Sequence, residues 1–202
     1  MQNVIPPIGF GTYKHLGDIC LRSVSDALEI GYRHIDTAEM YGNEREVGKA
    51  IAASAVKRSD IWITTKVPAE ALGPGQVLPH AKTSLERLGV DKVDLLLIHW
   101  PSIGDQYVAE DYIAQLGEVK AQGLATQIGV SNFTKKYIDI ALRVLGPNYY
   151  PIRFALYTAY VILLKNMLDL GKSMSPKPVT RNTLSIVDNL CSAIVVTRGS
   201  SI

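Results

Sequence analysis

GYRHIDTAEMYGNEREVGKAI, residues 31–51, sets the reading of the whole chain. Residues 32–35 alternate polar and apolar side chains and predict a short β-strand. The pattern breaks at Asp36, Thr37 and Ala38 into a polar loop. It recovers as a helix, with Asn43 as a plausible N-cap and Glu46 three residues later as its capping-box partner. Val47, Ala50 and Ile51 give that helix one apolar face. A carboxylate, Asp36, thus stands at the C-terminal tip of a strand, and a phenol, Tyr41, lies in the loop that follows. In parallel α/β proteins that end of the strands carries the chemistry.

The pattern recurs. Residues 8–12 (IGFGT), 60–66 (DIWITTK), 93–100 (VDLLLIHW) and 127–132 (QIGVSN) read as further strands, the last three ending in Lys66, His99 and Ser131-Asn132. From Asp36 to Lys66 to His99 to Ser131 the steps are 30, 33 and 32 residues, about one βα unit each. Helices are predicted at residues 21–30, 76–88, 109–122 and 135–145, stopped by Gly31, Gly89, Gly123 and Gly146-Pro147. Leu21, Val24, Ala27 and Leu28 form the apolar face of the first. This period, with a polar residue at each strand tip, predicts a parallel α/β barrel of the (β/α)8 TIM type.

Composition narrows the function. The chain has 202 residues, 47% hydrophobic and 20% charged, enough for one sizeable soluble core. Lys and Arg are scattered without a basic run, which argues against a nucleic-acid partner. Cys20 and Cys191 are isolated, and make neither a disulfide framework nor a zinc site. The opening MQNVIPPIGF has no basic start and no apolar stretch, so no signal peptide is expected. The apolar run at 154–164 is too short to span a bilayer, so no membrane partner is expected. A reducing cytoplasm fits these features.

GFGTY, GYRHIDTAEMYGNEREVG, ITTKV, DLLLIHWP and IGVSNF, in this order, resemble the aldo-keto reductase family, and its bacterial 2,5-diketo-gluconic acid reductases in particular. The resemblance covers residues 5–146. It implies NADPH-dependent reduction of a small-molecule aldehyde or ketone. The family tetrad maps onto Asp36, Tyr41, Lys66 and His99. The resemblance also implies cofactor contacts from Gly11, Thr12, Asp36, Ser131 and Asn132, with the last two on the nicotinamide carboxamide. It places Tyr13, His99 and Trp100 at the substrate, and implies a monomer without a metal.

The residue chemistry agrees with that mapping. A free phenol has a pKa near 10, and the Lys66 ammonium is expected to lower it at Tyr41. Lys66, at the end of an apolar strand, needs a counter-charge, and Asp36 is the natural one. His99 is suited to hydrogen-bond a carbonyl oxygen. Singly, each has a plainer role: Asp36 as a loop cap, Tyr41 as a rim tyrosine, Lys66 as a solvated strand end, His99-Trp100 as a packed pair. Ser131 and Asn132 also fit a polar turn, with Asn132 or Thr134 as an N-cap.

The character changes after residue 146. Residues 1–146 carry net −2 and residues 147–202 net +4. Ile152-Arg153 stands near where the family shows Asn-Gln, no seventh-strand tyrosine is recognised, and VVTRGSS at 195–201 resembles the eighth-strand phosphate run only faintly. Residues 167–185 have a loop composition. A closed barrel takes roughly 250 residues, and three more units of about 30 would not fit into the 56 that remain. The expectation is one barrel domain over 1–202, incomplete after the fifth βα unit, with 147–202 divergent or truncated. Weak NADPH binding and self-association through open strand edges follow. The alternatives are a catalytically inactive truncated or frame-shifted fragment, or a non-catalytic binding subunit.

Overall fold

The computed structural model describes residues 5, 6 and 8–146 and the backbone of 193–195. The periodic runs form five successive βα units. They are β1 (Ile8–Gly11) and α1 (Gly17–Glu29), β2 (His34–Asp36) and α2 (Glu44–Ala53), β3 (Trp62–Val67) and α3 (Val77–Leu88), β4 (Val93–Ile98) and α4 (Ala109–Ala121), and β5 (Ala125–Val130) and α5 (Lys135–Leu145). A further strand, β6, is Ala193–Val195.

The sheet order is β5-β4-β3-β2-β1-β6. Strands β1 to β5 are parallel, each beside its neighbour in the chain. A doubly wound sheet reverses its strand order at a switch point; these five strands never reverse. Successive helices pack on one another, from α1 on α2 to α4 on α5. With right-handed crossovers, this progression puts the five helices on one face, as in the wall of a TIM barrel. β6 runs antiparallel beside β1, with Phe10 opposite Ala193. The last strand of a closed barrel would lie there in parallel, whereas Ala193–Val195 runs antiparallel; residues 196–201 of the run read at 195–201 lie outside the described residues. The other features read after residue 146 lie outside the described residues.

Local hydrogen bonding explains the boundaries that differ from the sequence reading. β2 begins at His34, not Tyr32, because residues 31–33 close α1. Tyr32 N donates to Ala27 O at 2.8 Å, and Arg33 Nη1 donates to Leu28 O at 2.9 Å. β3 begins at Trp62 because residues 58–60 form a 3-10 turn. β5 ends at Val130, and Asn132 already has a left-handed φ of 61°. In α1 the buried face runs through Cys20, Val24, Ala27 and Leu28, so Cys20 takes the place expected for Leu21.

Strand alternation divides the core. Ile35, Ile63, Val67, Leu96, Ile98, Ile128 and Val130 pack under the helices with Val24, Leu28, Val47, Leu85, Ile113 and Leu116. The opposite, inner face carries Trp62, Leu95 and Leu97, with Ile5 packed against them. Two glycines mark close approaches. A Cβ on Gly9 would lie 2.5 Å from His34 Nδ1, so the buried imidazole rests directly on the β1 backbone. A Cβ on Gly48 would lie 2.4 Å from Leu88 O, so α2 can lie this close to the end of α3 only without a side chain there.

Candidate active site

Inner-face residues at the C-terminal ends of β2, β3 and β4 converge. Asp36 is the last residue of β2 and pairs across the sheet with Thr64 of β3. Lys66 lies one pleat further along the same face. Its ammonium donates to Asp36 Oδ1 at 2.5 Å and to Thr37 O at 2.8 Å. Both side chains are buried, so the charges are compensated as burial requires. Burial works against the Lys66 charge, but Asp36 and Tyr41 outweigh it and raise its pKa. Burial pushes the Asp36 carboxyl up, against the pull of Lys66.

Tyr41 closes a 3-10 turn over Glu39–Tyr41, and Gly42 follows with a left-handed φ of 66°. Lys66 Nζ lies 5.1 Å from the centre of the Tyr41 ring. The ring meets His99 edge-on at 5.5 Å and Tyr13 at 5.1 Å. The four mapped residues are therefore in one cluster. The expected direction of the phenol's pKa is corrected: burial raises it and prevails over the lowering effect of Lys66. Burial, reinforced by Lys66, holds His99 down at about 3, so its imidazole is neutral at pH 7.

The β5 end is built differently. Asn132 Nδ2 donates to His99 O at 2.8 Å and to Ser131 Oγ at 3.1 Å. Asn132 thus ties β5 to the backbone of His99, and Thr134, at the N-cap position of α5, makes no side-chain cap bond. Gly11 pairs with Asp36 across the sheet. Thr12 is buried: its N donates to Asp36 O at 3.0 Å, and its carbonyl accepts from Asn43. Thr12 therefore serves the frame behind Asp36. Tyr13 and Trp100 are large side chains left about half exposed beside the cluster.

Two supporting networks escaped the sequence reading. Asn43 holds the N-cap position of α2 but makes no side-chain cap bond. Its amide instead donates to Thr12 O and His15 O, both at 2.8 Å, and accepts from Thr37 Oγ1 at 2.8 Å. It thereby sews the loop after β1 to the loop after β2. The second network lies on the helix side. Thr65 Oγ1 donates to the buried Glu44 at 2.6 Å. Arg87 of α3 pairs with Glu44 at 3.5 Å and with Glu39 at 3.3 Å, and His80 Nδ1 lies 2.9 Å from Glu39. Glu39 opens the turn that Tyr41 closes, so α3 anchors the phenol's loop. The only local signal was the density of acids at residues 39, 44 and 46.

Residues 7–169 match the pattern described as the Aldo/keto reductase family. The chain belongs to that family. The match runs beyond residue 146, the end of the stretch that resembles the family motif by motif. Among curated aldo/keto reductase relatives, Methylglyoxal reductase DkgB of Salmonella typhi is 46% identical over 145 residues, which is 72% of this chain and 54% of that protein. An aldo-keto reductase of Mycolicibacterium smegmatis is 49% identical over 132 residues, 65% of this chain and 46% of that one. Among solved structures, a candidate 2,5-diketo-D-gluconic acid reductase B superposes with a TM-score of 0.67 at 40% identity, covering 70% of this chain and 50% of that one. The chain spans about half the length of the curated relatives it matches. Among the described residues no His/Cys/Asp/Glu group is arranged to hold a metal ion, and no helix is long and apolar enough to cross a membrane.

Proposed function

We propose that the chain reduces small aldehydes or ketones to alcohols, with NADPH as reductant. One observation supports this above the rest. A buried lysine, ion-paired to Asp36, stands against a phenol that also packs on a neutral imidazole. The whole group sits at the C-terminal ends of parallel strands.

Reduction of a carbonyl adds a hydride to carbon and a proton to oxygen. Bound NADPH supplies the hydride. Tyr41 holds the proton: its raised pKa keeps the phenol protonated at neutral pH. As negative charge grows on the carbonyl oxygen, the phenol donates its hydrogen to that atom. The phenolate left behind is stabilised by the Lys66 ammonium. Asp36 keeps that ammonium in place and charged. Neutral His99 donates a ring N–H to the same oxygen and orients it. Tyr13 and Trp100 flank the entrance.

The β5 end fits the nicotinamide carboxamide. Ser131 Oγ accepts from Asn132, which leaves its own O–H to donate. Asn132 offers its amide oxygen. A few neutral hydrogen bonds at about 0.5–1.5 kcal/mol each face a cost of at least about 4 kcal/mol for immobilising the ligand. On the described residues alone, NADPH binding is therefore weaker than micromolar.

The test is NADPH oxidation by the purified chain with methylglyoxal, beside a fluorescence titration with NADPH. Methylglyoxal is the first choice because relatives carry its name. Turnover at NADPH well above micromolar supports the reading. Saturated binding without turnover of any aldehyde or ketone overturns it.

A further inference from the structure

A pocket of about 540 Å³ opens beside the cluster, lined in part by Met40, Glu70, Trp100, Ile103, Asp105 and Tyr137. Its size is that of a small-molecule site. Two of its walls are tied to the proposed reacting groups by the chain itself. Met40 precedes Tyr41 in the same turn, and Trp100 follows His99. Asn132, which binds the His99 carbonyl, also lines it. A compound with its carbonyl at Tyr41 and His99 therefore has this pocket for its other end.

The lining has two kinds of surface. Met40, Trp100 and Ile103 are 57%, 47% and 64% exposed, a large apolar area gathered in one concavity. The charged lining residues are Glu70 and Asp105, and no Lys, Arg or His is among the described residues of the lining. Asp105 is held in place: Tyr137 Oη donates to its carboxylate, and Gly104 and Asp105 both adopt left-handed backbone, φ 59° and 54°. A substrate carboxylate here would meet two like charges, whereas an uncharged tail would cover apolar surface.

Resting on the carbonyl-reduction reading, we propose that Glu70 and Asp105, on the wall of this pocket, act as specificity residues that discriminate against carboxylated substrates in favour of uncharged ones. The test is an equilibrium titration of the full chain with benzaldehyde and with its para-carboxylate, without NADPH. A change in tryptophan fluorescence reports occupancy, because Trp100 lines the pocket and Trp62, the other tryptophan, does not. At low salt the carboxylate should bind about fivefold more weakly, the scale of repulsion between exposed charges a few ångströms apart. High salt should narrow the gap. Glu70→Gln with Asp105→Asn should close it; Asn tolerates the left-handed backbone at 105. Equal or tighter binding of the carboxylate, a gap that survives in the double variant, or no binding of either compound overturns the proposal. Selective binding without NADPH oxidation leaves the pocket assignment standing and removes only the reductase reading.

Discussion

Thr65 and Lys66 are neighbours on β3, yet they serve opposite faces of the sheet and two different carboxylates. On the inner face Lys66 meets Asp36 at 2.5 Å, charge against charge, with both side chains buried. On the helix face Thr65 gives Glu44 a hydroxyl hydrogen bond at 2.6 Å, and Arg87 stays 3.5 Å away. Burial pushes both carboxyls up. The inner pair answers burial with a full counter-charge beside a phenol. The outer carboxyl relies mainly on neutral bonding and fixes α2 and α3 around the same loop. A buried acid near a site is thus no sufficient sign of chemistry; what it faces decides.

The largest effect is expected where the inner pair is broken from one side. Lys66→Met leaves Asp36 buried and unpaired, a change that costs about 3–5 kcal/mol. It also removes the charge proposed to stabilise the phenolate. Chemical denaturation should show a lowered midpoint, and reductase activity should vanish. Coincident unfolding curves would mean that the pair does not act as a buried one.

Tyr41→Phe separates chemistry from stability on that face. Only a hydroxyl is lost, and the ring keeps its contacts with His99 and Tyr13. Loss of a general acid lowers kcat by about 100- to 10,000-fold, while NADPH affinity should stay nearly unchanged. Turnover retained in the purified variant would take the acid role away from Tyr41.

Acid should weaken the inner face next. Burial, with Lys66 adding to it, holds His34 and His99 at about 3. Unfolded histidine titrates near 6.5. Between those values the unfolded chain binds more protons, so stability falls as pH falls. From pH 7 to pH 5 this amounts to at most about 2 kcal/mol per histidine. The raised Asp36 and Glu44 carboxyls act with opposite sign, lending stability that is lost as pH rises through their folded pKa values. Urea midpoints at the two pH values decide between them. A higher midpoint at pH 5 would mean that the carboxyls outweigh the histidines.

The five parallel strands and their spacing were legible because each strand is an apolar run with a polar tip, a signal carried by local sequence. The meeting of Asp36, Tyr41, Lys66 and His99 was legible for the same reason: three of them end neighbouring strands. The roles of Asn43, Glu39 and Arg87 were not. An asparagine before Glu44 has the form of a helix cap, and only the folded loops after β1 and β2 supply the carbonyls that it binds instead. Arg87 reaches Glu39 across 48 residues of sequence, with no local mark on either. The direction of the Tyr41 pKa was missed because the charge of Lys66 can be named from sequence, whereas the depth of burial cannot.

The smallest effect belongs to the outer carboxyl and completes the comparison. Glu44→Gln keeps the shape and an oxygen to accept from Thr65. The buried Ser84 hydroxyl, which lies beside the Glu44 carboxyl, can accept from the new amide. What is lost is the 3.5 Å contact with Arg87, a partly exposed cation, and such pairs contribute about 0–1 kcal/mol. Thermal or urea unfolding of Glu44→Gln should therefore fall within about 1 kcal/mol of the parent, several-fold less than Lys66→Met. A loss as large as that of Lys66→Met would mean that Glu44 is ionised and that Arg87 is to it what Lys66 is to Asp36. The two faces of β3 would then carry equivalent ion pairs.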